Sequence, residues 1–332
     1  MGLIPPARGF SSLPQAPPLG RLFWKRSRAT RSILWEAKAL LRVSDRNGIR
    51  IDTAPGTDPA ALEILNLGLA LLLARRGHHL LHAAGLARRG RCAAILGPPG
   101  AGKSSLTLAG ACRGMEVISD EIVPFRRRAK IFTCPGGNPL IRVDPSHPAR
   151  WPEPAATALR QARRDQPGKS KLILDVRRFE WRCAEGMNQL HLLFLLGPRL
   201  TGRGPAFRLS RIPAAEALLG LLQSTFDRRV QSPPERRRHL RACAALARSV
   251  PAWRLSVRQG FEHLLAAAGE IDSMLSRTVT GPTHRLAPAQ GHVVRRQRIE
   301  RHPIDRDPGV GLDRDGGVAH ADRQARRTPS ST

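Results

Sequence analysis

The sequence predicts an α/β fold, and three observations carry that expectation. A short apolar run at 91–96 ends in Gly97-Pro-Pro-Gly-Ala-Gly-Lys103-Ser104, and a helical pattern leaves that loop over 104–113. Elsewhere, strand-length apolar runs (115–120, 130–133, 140–143, 171–176, 190–196, 252–257) are interspersed with amphipathic helical stretches. Hydrophobic residues make up 41% of 332 residues, enough for a sizeable core.

Taken in order, residues 1–31 are rich in Pro, Gly, Arg and Ser and read as an irregular arm. The apolar spacing of 33–43 fits helix or strand equally. Asp45-Arg-Asn47-Gly48 signals a turn, with a possible strand at 49–51 behind it, so 32–77 reads as a small subdomain. Within it 59–76 is a helix, with Asp58 as N-cap, Pro59 in its first turn and Gly77 beyond its end. A hairpin follows: 79–87 and 91–96 flank Arg88-Arg89-Gly90. After the loop helix, Gly114 is placed as a C-cap and 115–120 is a strand. The strands 130–133 and 140–143 are joined by a turn at 135–138, and the polar, Pro-rich stretch 144–170 reads as a loop. Helices are expected at 213–226, 235–249 and 260–268. The main domain therefore spans 78–272, and 273–332, without periodicity, reads as a disordered basic tail.

Composition excludes several classes. The net charge of +29 invites a nucleic-acid partner, but aromatic residues are only 4% and arginine dispersed on solvated faces explains the charge better. The five cysteines include no C-x-x-C pair, which argues against a disulfide framework and a zinc site and for a reducing, cytoplasmic setting. No signal-peptide or myristoylation pattern opens the chain, and no apolar stretch is long enough to span a bilayer.

The loop fits G-x-x-x-x-G-K-[ST], in which backbone N–H groups at a helix start converge on nucleotide phosphates. Gly97, Pro98, Pro99, Gly100, Ala101, Gly102, Lys103, Ser104 and Ser105 are the expected nucleotide-binding residues. Lys103 would reach the phosphates, and the Ser104 hydroxyl would hold Mg²⁺. Asp120 and Glu121 end the next strand, where a carboxylate can ligate metal-bound water or take a proton from an attacking hydroxyl. Read without that context, the pair is a solvated turn. His82 sits among Leu80, Leu81, Ala83 and Ala84 and, by itself, reads as a hydrogen-bonded core residue; close to Asp120 it would tune that carboxylate.

His82, the fifteen-residue step to Gly97, the loop, Arg113-Gly114, and the seventeen-residue step from Lys103 to Asp120 resemble the C-terminal catalytic domain of HPr kinase/phosphorylase. The chain is most similar to the shorter HPr-kinase-related kinases without the parent family's N-terminal domain. The resemblance covers about 78–270 and implies a P-loop kinase fold of the HPr kinase/phosphoenolpyruvate carboxykinase type, a mixed central sheet flanked by helices. It implies ATP- and Mg²⁺-dependent phosphorylation of a protein serine, with a homo-oligomer possible. Asp120 becomes the general base with His82 beside it, Lys103 and the loop amides bind phosphate, and Ser104 and Glu121 hold the metal. The chain departs from the family at Ala83, at Pro99 and at Glu121, which stands where the family has a second Asp. Three other expectations stay open: a small-molecule or carboxykinase-like enzyme, a non-catalytic nucleotide-binding module, and a nucleic-acid-associated ATPase.

Overall fold

The computed structural model describes residues 11–12, 22–27, 30–35, 39–44, 48–53, 58–138, 140–144, 151, 153–164, 171–226 and 231–277. Five strands open it: β1 (Ser11–Ser12), β2 (Leu22–Arg26), β3 (Thr30–Trp35), β4 (Ala39–Ser44) and β5 (Gly48–Thr53). They form an antiparallel meander in sequence order. Helix α1 (Asp58–Arg75) covers it, packing Leu67 and Leu71 on Ile33, Leu41 and Val43. The expectation that 1–31 is irregular is therefore corrected at β1 and β2, and 33–43 resolves into two strands. In β2, Leu22-Phe-Trp-Lys-Arg26 lacks the period-two alternation that marks a strand in sequence. The pairing of Ile33 with Leu41 across β3 and β4 is what selects strand over helix. The expected turn at 45–47 lies outside the described residues.

Next come β6 (His79–His82), β7 (Ala84–Arg88), β8 (Arg91–Leu96), α2 (Lys103–Cys112), β9 (Glu116–Ser119), β10 (Ile122–Arg128) and β11 (Ile131–Pro135). They are followed by β12 (Leu140–Val143), α3 (Ala155–Arg160), β13 (Arg163–Arg164), β14 (Leu172–Asp175) and β15 (Met187–Leu196). The last elements are β16 (Phe207–Arg211), α4 (Ala214–Gln223), α5 (Pro233–Ser249), β17 (Ala252–Val257) and α6 (Phe261–Ser276).

A nine-stranded sheet runs β6-β10-β11-β15-β8-β7-β9, with β17 against the C-terminal part of β15 and β16 against β17. The sheet is mixed: β15 is parallel to β8 and β17, and the other pairs are antiparallel. Strand β8 shows why its sequence is a continuous apolar run. Ala93 and Ile95 face a core shared with α2 and α6, while Cys92, Ala94 and Leu96 face a second core shared with α4 and α5. The helices thus flank both faces of the sheet. A three-stranded antiparallel sheet, β12-β14-β13, lies beside α2 in the first core.

Four differences from expectation have local causes. The single strand expected at 79–87 breaks at Ala83: β6 pairs with β10, whereas β7 pairs with β8 and β9. Strands β10 and β16 are additional; Pro124 interrupts the apolar run of β10, and β16 alternates exposed Arg and Ser with only two hydrophobics. The 144–170 loop contains α3 and β13. Helix α6 continues to Ser276, past the expected start of the tail at 273, because Ile271 and Leu275 remain buried. The rest of that tail lies outside the described residues.

Candidate functional site

The glycine-rich loop joins β8 to α2, and its conformation explains its glycines. Gly100 (φ 79°) and Gly102 (φ 100°) occupy left-handed space, and a Cβ on either would meet nothing within 4 Å. Backbone conformation, then, selects glycine here and leaves open space above the loop. Gly102 is the N-cap of α2, whose first N–H groups lack carbonyl partners by helix geometry and face that space. Lys103 is buried and folds back over the loop, its Nζ donating to the carbonyls of Gly97 (2.8 Å) and Pro98 (3.2 Å). Burial depresses its pKa, Asp120 acts to raise it, and Lys171 depresses it further. Gly110 fixes the other end of the helix: a Cβ there would stand 2.5 Å from Leu86 Cδ1, so α2 can approach β7 this closely only without one.

At the end of β9, the Ser119 hydroxyl accepts the N–H groups of Glu121 (3.2 Å) and Ile122 (3.1 Å). This turn ends the strand before Asp120, so the two carboxylates escape strand alternation and both line the same cavity as the loop. Asp120 Oδ2 accepts the backbone N–H of Arg142 at 2.9 Å. Asp120 Oδ1 is buried and makes no hydrogen bond of good geometry. Burial pushes the Asp120 carboxyl up to about 7; the Arg142 N–H and the Ser104 hydroxyl oppose that rise, and Glu121 adds to it. Glu121, expected as a metal ligand, is ion-paired with the Arg142 guanidinium.

His82 ends β6 opposite Ile122 and is half-buried in the same cavity. Its N–H donates to Ser224 O (2.6 Å), tying it to the end of α4. Burial is the main cause of its lowered pKa, followed by Lys103; Glu121 and its backbone carbonyl act the other way. That direction favours the neutral ring, and the carboxylate that acts on it is Glu121, not the Asp120 that was expected beside it.

The cavity measures about 350 Å³ and brings together His82, Gly100, Gly102, Lys103, Ser104, Asp120 and Glu121. It adds Arg142, Asp144, Trp151, Lys171 and Arg199, none of which the sequence motif marks. Arg142 had a faint signal, a charge inside the apolar strand 140–143. Lys171 and Arg199 had none, because the segments just before β14 and just after β15 deliver them. Neither makes an ion pair among the described residues.

The residues fit a nucleotide polyphosphate with Mg²⁺. The loop presents open space and helix-start amides, and the Ser104 hydroxyl interacts with the Asp120 carboxyl, one oxygen of which is buried without a hydrogen bond of good geometry. Among the described residues no group of three His, Cys, Asp or Glu side chains could hold a metal by itself. Magnesium suits such a place, because it takes one or two protein oxygens and fills its shell from phosphates and water.

No protein-family model matches the chain, and none of the curated proteins matches it. Among solved structures it is similar to the HPr(Ser) kinase/phosphatase from Coxiella burnetii, with a TM-score of 0.32 and 15% identity over 59% of this chain and 89% of that one. At that level the neighbour's chemistry does not transfer. Among the described residues no helix is long and apolar enough to cross a membrane.

Proposed function

We propose that this chain is a kinase that transfers the γ-phosphoryl group of Mg²⁺-bound ATP to a serine hydroxyl of a protein. One observation carries the reading. A buried carboxylate with an unsatisfied oxygen, its pKa raised to about 7, shares a cavity with a phosphate-loop lysine and helix-start amides.

Bound Mg²⁺ would neutralise phosphate charge and align the donor for in-line displacement. The chain's own residues do the remaining work. The loop amides and Lys103 hold the phosphate oxygens, exchanging the Gly97 and Pro98 carbonyls for them. Ser104 supplies a metal oxygen. Asp120 Oδ1 accepts the proton of the attacking hydroxyl, and a pKa near 7 suits a base working at neutral pH. Arg142 steadies the base through its backbone N–H and neutralises Glu121 through its guanidinium. Lys171 and Arg199, at the cavity wall, add positive charge where the transferring group becomes more anionic.

The test is transfer of labelled γ-phosphate from Mg²⁺-bound ATP into proteins of the source-cell lysate, comparing wild type with Lys103→Ala and Asp120→Asn. A labelled band present with wild type and absent with both variants is the expected result. Label found only in small molecules would replace the protein acceptor by a metabolite. A fully active Asp120→Asn would remove Asp120 from its role. Bound ATP without transfer to any acceptor would leave a nucleotide-binding module.

A further inference from the structure

Strand β16 pairs with β17 alone, so among the described residues its outer side is an open edge of the nine-stranded sheet. The register says which backbone groups that edge presents. Arg258 donates its N–H to Ala206 O (2.9 Å), and Ile212 donates to Ala252 O (3.0 Å). Hydrogen-bonded pairs alternate along an antiparallel ladder, so Arg208 and Ser210 also turn their N–H and C=O groups toward β17. Phe207, Leu209 and Arg211 turn theirs outward, where they meet no backbone partner among the described residues. The strand lacks two devices that commonly blunt an edge: it has no proline, and its register with β17 runs without a shift.

Side chains restrict what can pair there. Phe207 and Leu209 pack, partly buried, on the core shared with α2 and α6, whereas Arg208, Ser210 and Arg211 are exposed. From Gly197 to Ala215 the chain has Arg199, Arg203, Arg208 and Arg211 and no acid. None of these arginines makes an ion pair among the described residues, and the next acid, Glu216, is taken by Arg254. An incoming strand therefore meets unpaired backbone groups, apolar surface beside Phe207 and Leu209, and positive charge beside Arg208 and Arg211. A second copy of β16 is a poor match, because self-pairing would gather the arginines of both strands without a counter-charge. An acidic segment with alternating apolar residues is a good one. Position favours the acceptor as its source. Leu209 stands opposite Leu255, Leu255 opposite Leu196, and Leu195 opposite Leu96, so the edge lies at the loop end of the sheet. At about 4.8 Å per strand, a strand added to β16 runs roughly 19 Å from β8, a distance that about six extended residues span.

We propose that the outer edge of β16 binds an acidic, extended segment of the protein acceptor by strand addition, with the acceptor serine on the order of six residues or more from that segment. The proposal rests on the protein-kinase reading above and deepens it: the acceptor is selected by a backbone-paired segment away from its serine. The outward N–H and C=O groups of Phe207, Leu209 and Arg211 supply the pairing, and Arg208 and Arg211 supply the preference for acid.

The test is fluorescence anisotropy of a labelled short peptide alternating Glu and Val, titrated with the full chain without nucleotide. Wild type should bind it, and a Lys–Val counterpart should bind roughly tenfold or more weakly. Leu209→Pro removes one outward N–H and leaves the ladder to β17 intact, so it should weaken the Glu–Val peptide by a similar factor. Leu209→Ala keeps that N–H and controls for lost packing, and thermal melts establish that each variant folds. The wild-type chain alone gives a second readout: N-methylation of either the Val amides or the Glu amides, but not of both sets alike, should abolish binding, because alternate N–H groups face the edge. No binding of the Glu–Val peptide, equal effects of the two methylated sets, or a wild-type dimer that Leu209→Pro dissociates would overturn the edge site. In the lysate experiment Leu209→Pro should dim the labelled protein band several-fold with ATP affinity unchanged, and an undiminished band would overturn the acceptor as occupant. Peptide binding needs no nucleotide, so a failure of phosphoryl transfer and a failure of the edge are read separately.

Discussion

Two carboxylates in this molecule, one part-buried and one buried, have opposite circumstances. Glu235, in the first turn of α5, is saturated. It accepts the backbone N–H and the hydroxyl of Ser232 at 2.8 Å each in a capping box, and it is ion-paired with Arg31 of β3. Asp120 is more deeply enclosed and has one oxygen without a good partner. Both have an arginine nearby. At Glu235 the guanidinium itself contacts the carboxylate. At Asp120 the arginine lends only its backbone N–H and spends its charge on Glu121. On the proposed function, the carboxylate that ties elements together is bonded to completion, and the one that would act as base has a lone pair unspent.

That contrast can be broken at either end. The largest effect is expected for Asp120→Asn: phosphoryl transfer should fall by about 10²–10⁴-fold, while nucleotide binding measured by calorimetry persists. Glu235→Ala is expected to cost about 3–5 kcal/mol in denaturant unfolding, because it strands Arg31, whose side chain is 7% exposed. Transfer per folded molecule should not change. If Glu235→Ala impaired catalysis and Asp120→Asn impaired only folding, the two roles would be exchanged.

The pH dependence sharpens the same point. The Asp120 pKa is raised by burial, so the folded state favours the protonated acid. Its contribution to stability is full below the ordinary carboxylate value near 4 and is lost as pH rises through about 7. Asp120→Asn should therefore be more stable than wild type above pH 7 without nucleotide, by up to about 4 kcal/mol in denaturant unfolding. Transfer by wild type should rise tenfold per pH unit below about 7 and level off above it, since the base must be ionised. A flat rate profile between pH 5 and 8 would contradict the assignment. The smallest effect is expected at the cap: Ser232→Ala should cost about 1 kcal/mol in the same unfolding measurement.

How much of this was legible in the sequence depends on how locally each part is encoded. The loop and α2 were legible because glycine conformation, helix start and apolar strand all fall in one short stretch. Asp120 was legible because β9 follows that helix directly. The anchor of Asp120 was invisible for a physical reason: Arg142 contributes a backbone N–H, which every residue except proline carries. Lys171, Arg199 and Trp151 were invisible because the three-stranded sheet, β15 and α6 assemble them from distant parts of the chain. The N-terminal strands were misread because their alternation appears only once β3 and β4 are paired.

The Lys103 ammonium, seated on two carbonyls of its own loop, has a consequence for how the site fills. On the proposed reading those two carbonyls stand in for the phosphate oxygens that Lys103 would hold. Binding would then be an exchange, with phosphate oxygens displacing peptide oxygens around one cation, and its affinity would reflect the difference between two sets of oxygen ligands.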